Sequence, residues 1–451
     1  MVCTLHAFVT EIKWKDIPAE VKRMAVRCLL DLLGTGAAGA QTDMARIAAN
    51  HAARFFAAGA GAPSSPILFD GRPASVIGAA LAGGMAIDSF DAHDGHVLTK
   101  GHAGCAILPA LIAVSAHARK NVSGAEFLTS LVIGYEVALR CGISQHRIAL
   151  DYHTSGAWNG LGAAAVGSRM LQMPKGQLCE ALGIAEYHGP RSQMMRCIDF
   201  PTMVKDGSGW GAMTGLSAVY LAMDGFTGAP ALVVEDNAVA DLWGDLGERW
   251  RMLELYFKPH PVCRWAQPAI EAVLSLTGGR AMRADEIGSI EIETFHNAVR
   301  LDQPRPGTTE EAQYSLTFPV AAVLTHGGLH HDVIIGAALH DEEVLAISAK
   351  IRLIERLDIE ARFPAERLAK ARIRLVSGEV LESAILPARG DAERPLNEEE
   401  IRTKFHTLAG PVLGHLRAAT LQQTVEELPG AVSIAKLVEL VTAPARRNIA
   451  E

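Results

Sequence analysis

Between about residue 16 and residue 260 the apolar positions recur at the three-to-four spacing of an amphipathic helix. Asp16 and Pro18 form a helix-start signal, and Val21, Met24, Ala25, Cys28, Leu29 and Leu32 follow on one face up to Gly34-Thr-Gly36. The same spacing predicts helices over about 41–58, 74–90, 105–118, 124–140, 156–171, 176–186, 208–223 and 264–276. Many carry Gly and Ala at close intervals. Small residues let helix axes approach, so the region reads as a tightly packed bundle with little sheet. After about 278 the texture changes. Ile287-Gly-Ser-Ile290-Glu-Ile292-Glu-Thr294 and Ala371-Arg-Ile373-Arg-Leu375-Val alternate with period two, and Val380 to Ile385 can return past Ser377-Gly378 as a partner strand. Helical stretches at about 333–340, 343–354 and 397–409 intervene or follow, and the chain is again helical to about 440. The predicted class is mainly α: a large helical bundle made from both chain ends (1–265 and 396–451), with a smaller α/β domain (266–395) inserted between them.

Composition narrows the function. The chain has 451 residues, 49% hydrophobic and 20% charged, which is a compact composition large enough for two cores. A net charge of −8 argues against nucleic-acid or anionic-membrane partners, both of which need a basic face. Seven scattered cysteines without a C-x-x-C pair give neither a disulfide framework nor a zinc knuckle. With no signal-peptide pattern at the start and no long uninterrupted apolar run, a cytoplasmic location is expected.

The densest chemistry lies in Asp88-Ser-Phe-Asp91-Ala-His93-Asp94-Gly-His96-Val-Leu-Thr-Lys100-Gly-His102. Three aspartates, three histidines and a lysine stand against a Gly/Ala-rich background, where ionisable groups are rarely buried without a use. The three-residue spacing of the aspartates suits one helical face. His102 and Lys100 precede a predicted helix N-terminus, a place that favours an anion. Acid–base work, buried caps and metal ligation by Asp and His all remain open from these residues. Two later segments add candidates. Lys205 sits at a Gly-rich helix entry, Lys205-Asp-Gly-Ser-Gly209. In Tyr256-Phe-Lys258-Pro-His260-Pro-Val-Cys263-Arg264, prolines hold His260 and Arg264 opens a helix. His153-Thr-Ser-Gly156 and Gln313-Tyr314-Ser315 are candidate pocket walls.

In this order the segments resemble the MmgE/PrpD family, which includes 2-methylcitrate dehydratase, cis-aconitate decarboxylase and iminodisuccinate epimerase. Asp31-Leu-Leu-Gly34 resembles the family's entry motif, and Asp88 to Asp94 its H-x-L-D-x-D-D segment. His102 before Leu108-Pro109, Lys205, His260 and the closing Pro395-Leu-Asn-Glu-Glu-Glu-Ile-Arg-Thr-Lys404-Phe405 match later family positions. Asp88 stands where the family often has His, and His93 where it often has Asp. The resemblance implies a helical domain from both chain ends around a smaller α/β domain, a site near their junction, a homodimer, and neither metal nor organic cofactor. It implies a small polycarboxylate substrate and acid–base chemistry at a carbon next to a carboxylate. Dehydration is the first expectation, epimerisation or decarboxylation the alternatives, and a non-catalytic carboxylate-binding protein or a metal-dependent hydrolase the rivals of another class. On this reading His102, oriented by Asp91 or Asp94, and His260 on the opposite face are the acid–base pair. Lys205, Lys100 and Arg264 hold carboxylates, and His93, Asp94, His153 and Tyr314 complete the pocket.

Overall fold

The computed structural model describes residues 2–117 and 121–445. Its main helices are α1 (Val2–Glu11), α2 (Ala19–Gly39), α3 (Asp43–Phe55), α4 (Val76–Asp88), α5 (Gly104–Ser115), α6 (Gly124–Ile148), α7 (Gly156–Met170), α8 (Lys175–His188), α9 (Met195–Asp199) and α10 (Ser208–Met223). Beyond them come α11 (Gln267–Thr277), α12 (Thr317–His326), α13 (Glu342–Ser348), α14 (Glu398–Leu413), α15 (His415–Glu427) and α16 (Ala435–Thr442). The chain is mainly helical, as its periodicity predicts.

Helix α7 packs against α6 on one side and α10 on the other, and α10 also lies along α4. Small residues make these contacts possible. A Cβ added at Gly215 of α10 would stand 2.2 Å from the Gly160 carbonyl oxygen of α7. Helix α2 continues through Gly34 and Gly36 to Gly39, past its predicted end, because those glycines are buried in a helix interface and not in a turn. Helix α14 returns from the far end of the chain to pack on α2. Among the described residues, α6 is the one helix with the length and hydropathy of a membrane span, and 94% of that window is buried inside the protein.

Besides a short antiparallel pair, Ser64–Pro66 with Pro73–Ser75, the strands include β1 (Gly95–His96), β2 (Leu255–Tyr256), β3 (Ile287–Thr294), β4 (Ile351–Glu355), β5 (Leu368–Leu375) and β6 (Val380–Glu382). The larger sheet has the order β4-β3-β5-β6, with Leu386–Pro387 also pairing to β5. Strands β3 and β4 are parallel, with Ile290 opposite Ile351; β3 and β5 are antiparallel, with Ile292 opposite Ala371. Two expectations fail here. The helix predicted over 343–354 stops at Ser348, and Ile351–Glu355 is β4, where ladder pairing with β3 overrides a weak helical period. The stretch 333–340 forms two short 3₁₀ turns, broken at the extended Ile335, with Gly336 at φ +58° opening the second. Helix α12 was not predicted: its Phe-Pro-Val-Ala-Ala-Val-Leu run is buried on all sides and carries no amphipathic period.

Apolar side chains gather in two clusters. One includes Leu29, Ile107, Leu139, Phe257, Phe405 and Leu437. The other includes Phe90, Met194, Trp265, Ile292, Phe318 and Ile373. Phe257 and Val262 fall on opposite sides of this division, so the intervening loop runs along the boundary.

The α7–α10 contact is testable. Gly215→Ala drives a methyl into the Gly160 backbone, and overpacking of this kind costs about 2 kcal/mol. Urea or thermal unfolding should show that loss, whereas unchanged stability would mean that the two helices separate without penalty.

Candidate active site

Helix α4 stops at Asp88, and the chain turns through Asp91, His93 and Asp94 before β1 pairs antiparallel with β2. The three aspartates therefore do not share one helical face. The β1–β2 pairing carries the 91–102 segment to the loop after Tyr256, about 160 residues away. Glycine at 95 is required by close approach. A Cβ there would lie 2.4 Å from the Tyr256 hydroxyl and 2.9 Å from His102 Nδ1. Lys100 (φ +52°) and Lys205 (φ +44°) are both held in the left-handed region beside the site, a strained backbone for a side chain of this size.

Lys258 is the central cation. It is buried, and its Nζ lies 2.6 Å from Asp91 Oδ1, which is also buried. The backbone N–H of Asp91 donates to Gln313 Oε1 at 2.8 Å, and Lys205 Nζ donates to the same oxygen at 2.8 Å. Lys205 also stands 4.6 Å from the centre of the Tyr314 ring. Burial alone would raise the Asp91 pKa; Lys258, then Lys205 and the neighbouring imidazoles outweigh it and hold Asp91 far below the usual carboxylate range.

The same environment keeps the histidines neutral. Burial, then the Lys258 charge, pushes His93 down to about 3 and drives His102 well below its ordinary value. His102 Nδ1 lies 2.6 Å from the Asp94 carbonyl oxygen. A carbonyl only accepts, so Nδ1 carries the proton and Nε2 keeps its lone pair. The backbone N–H of His102 donates to Ser155 Oγ at 2.9 Å, and Ser155 Oγ donates to Asp206 Oδ2 at 2.8 Å. His102 Nε2 is 3.7 Å from that same Asp206 oxygen. Burial, then the Asp88 carboxylate, raises the Asp206 pKa. Burial, then Asp31, raises Asp94 to about 7, while the Tyr135 hydroxyl donates to Asp94 Oδ2 at 2.6 Å. A neutral imidazole and a carboxyl that burial disposes to hold a proton thus stand side by side.

These groups open onto a cavity of about 520 Å³. Asp91, His102, Asp206, Lys258 and Tyr314 line its polar end. Lys100, Arg264 and Arg367 also line it. Arg264 is already paired with Asp391 and lies over the Tyr256 ring.

The structure brings His102, Asp91, Lys100, Arg264 and Tyr314 to this cavity. Lys205 lies one layer out, behind Tyr314, and lines a neighbouring cleft. His93 and Asp94 are buried behind the wall: His93 Nε2 faces Asp88 at 3.5 Å, and Asp94 orients His102 through its backbone carbonyl and not its carboxylate. His153 does not line the cavity either. It bridges to Gln193, with its backbone N–H on His146, and its neighbour Tyr152 supplies the wall instead. His260 is the main correction. Bends at 259–262 turn it away, its Nε2 pairs with Glu271 at 3.2 Å, and it lines a separate cavity with Lys404 and Arg389. Two members were missed, Lys258 and Asp206. Each is next to, or two positions from, a residue singled out in the sequence, and periodicity cannot tell which side of an irregular loop faces inward.

Asp91, His93 and His102 offer three ligand atoms within 4.8 Å of one another. An ammonium already occupies Asp91 Oδ1, and a metal ion there would face the Lys258 charge across a buried site. The donor set fits a proton-transfer cluster better than a cation.

Fold and site together describe a mainly helical protein with a pocket of buried acidic and basic side chains beside its second apolar cluster. The MmgE/PrpD N-terminal domain model matches residues 4–244 and the MmgE/PrpD C-terminal domain model residues 260–429, and the chain belongs to this family. Among its relatives, the cis-aconitate decarboxylase-like protein oryM of Aspergillus oryzae is 24% identical over 96% of both chains. The cis-aconitate decarboxylase of Homo sapiens is 23% identical over 99% of this chain and 96% of its own. That of Mus musculus is 25% identical over 96% of this chain and 91% of its own.

Lys258→Met strands the buried Asp91 charge, and removing one partner of such a pair typically costs 3–5 kcal/mol. The sign with pH follows from the depressed Asp91 pKa. The native pair's contribution is complete above the unfolded carboxylate value near 4 and drains away as pH falls toward the folded value. In the variant Asp91 escapes by taking up a proton, so the stability gap between the two proteins should be wider at pH 8 than at pH 5. An equal gap in urea titrations at both pH values would contradict this pairing.

Proposed function

We propose that this chain is a cofactor-independent acid–base enzyme acting on a small polycarboxylate at a carbon next to a carboxylate. The observation that carries the reading is the neutral His102, its Nδ1 proton held by the Asp94 carbonyl and its Nε2 free beside Asp206. His102 Nε2 takes a proton from that carbon, and the electron pair left behind spreads into the adjacent carboxylate. Lys258, with Lys205 behind it, stabilises the growing negative charge from a fixed position, the kind of term that dominates catalysis in a desolvated site. For loss of water, protonated Asp206 then hands its proton to the departing hydroxide; for loss of CO₂ the C–C bond to one carboxylate breaks instead, its electron pair spreads toward a remaining carboxylate, and Asp206 delivers its proton to carbon.

Within this chemistry we favour a lyase, losing water or CO₂. Both proton-handling groups, His102 and Asp206, lie 3.7 Å apart on one side of the cavity. Epimerisation needs a second group on the opposite face, and His260, the residue expected there, faces elsewhere. The relatives named as cis-aconitate decarboxylases support a lyase at the level of reaction class.

Proton NMR in D₂O with 2-methylcitrate, citrate, cis-aconitate and the iminodisuccinate isomers tests this. Deuterium at a carbon next to a carboxylate, with loss of water or CO₂, is the expected result. His102→Gln should slow it by about 10³-fold or more while the circular-dichroism spectrum stays unchanged. Turnover undiminished in the variant would remove His102 from the chemistry, and binding without exchange or product would mark a carboxylate-binding protein instead.

A further inference from the structure

The cavity is larger and more apolar than a small polycarboxylate requires. Its 520 Å³ is roughly twice the volume of a four-carbon dicarboxylate, whose eight heavy atoms take about 30 Å³ each. Much of its lining is apolar: Met194, Met195, Ile198, Trp265 and Phe363. Met194, Ile198 and Trp265 belong to the second apolar cluster, and Met195 and Phe363 pack against it, so these side chains are held by the core. At the rim, Leu98 is 50% exposed, an apolar side chain left in water beside an otherwise buried site.

The cations along the cavity are also few once existing pairs are subtracted. Lys258 is held by Asp91 and Arg264 by Asp391. Among the described residues, Lys100 and Arg367 line the cavity without a carboxylate partner; Lys100 lies 5.5 Å over the Tyr152 ring. Two free cations balance two carboxylates. A third would enter an apolar wall with no partner, at a large desolvation cost.

We infer that the substrate is a dicarboxylate bearing an apolar substituent, with its two carboxylates among Lys258, Lys100 and Arg367, the last two supplying the free charges, and its substituent against the Met194–Ile198–Trp265–Phe363 wall. This assignment rests on the acid–base reading above and names the substrate class of the same site. The volume left beside such a head group, roughly 280 Å³, accommodates a chain of about nine carbons at the same 30 Å³ each.

Calorimetric titration of the full chain with 2-alkylsuccinates from methyl to dodecyl tests the assignment. Affinity should rise about fourfold per methylene, the gain expected for burying one CH₂, and level off near about nine carbons. Ile198→Trp, which fills the wall, should move that plateau to shorter chains. Affinity that is flat or falls with chain length, while short dicarboxylates still bind, overturns the assignment and leaves the acid–base reading standing. Citrate or cis-aconitate binding more tightly than every alkylsuccinate also overturns it. Binding to no carboxylate in either set overturns the acid–base reading and this inference together.

Discussion

The buried ion pair between Asp91 and Lys258 sets the charge of everything else in the pocket. It joins residues 167 positions apart at 2.6 Å, and both side chains are almost wholly removed from water. With that ammonium in place Asp91 stays ionised and the two nearby imidazoles stay neutral. A neutral His102 is a base, whereas a protonated one is not. Without the lysine, a buried carboxylate would draw protons onto the same rings or take one itself. The pair is therefore less a source of stability than a device that decides which groups hold protons.

Holding it there needs elements from the whole chain. Lys404 on α14 donates to Asp31 on α2 and to the Ala92 carbonyl, both at 2.5 Å, so the C-terminal helices brace the turn that carries Asp91. Gln313, from beyond the sheet's first strand, accepts from both the Asp91 backbone and Lys205 and donates to the Ser89 carbonyl at 3.0 Å. The Gly-rich contact of α7 with α10 places Ser155 and Asn159 against Ser208 and His102: Asn159 Nδ2 donates to the His102 carbonyl at 3.1 Å and to Ser208 Oγ at 3.2 Å. The Ser208 backbone N–H at the start of α10 in turn donates to Asp88 Oδ2 at 3.2 Å. A site assembled this way tolerates little movement, which fits chemistry that depends on placing one lone pair.

Much of this was legible in the sequence, and the misses have physical causes. Helices with one buried face were readable from periodicity: α10 begins and ends where the pattern says, at 208 and 223. Helix α12 and strand β4 were not, because a segment buried on all sides has no period and a short strand is specified by its neighbour. In the site, His102 and Asp91 stood out because charge is unusual among Gly and Ala. His260 stood out because two prolines flank it, and was misleading. Its loop bends between Lys258 and Cys263, so two residues only two positions apart face different cavities. Lys258 drew no reading of its own, since only the tertiary fold puts Asp91 against it. The tautomer of His102 was beyond sequence reading altogether, because it depends on a backbone carbonyl.

The most direct measurement is ¹⁵N NMR of the histidine-labelled protein, with the His102 ring assigned by difference against His102→Gln. The account predicts a neutral ring bearing its proton on Nδ1, with shifts constant between pH 5.5 and pH 8, because burial and Lys258 hold its pKa well below the ordinary 6.5. A ring that titrates near 6.5, or one protonated on Nε2, would contradict it.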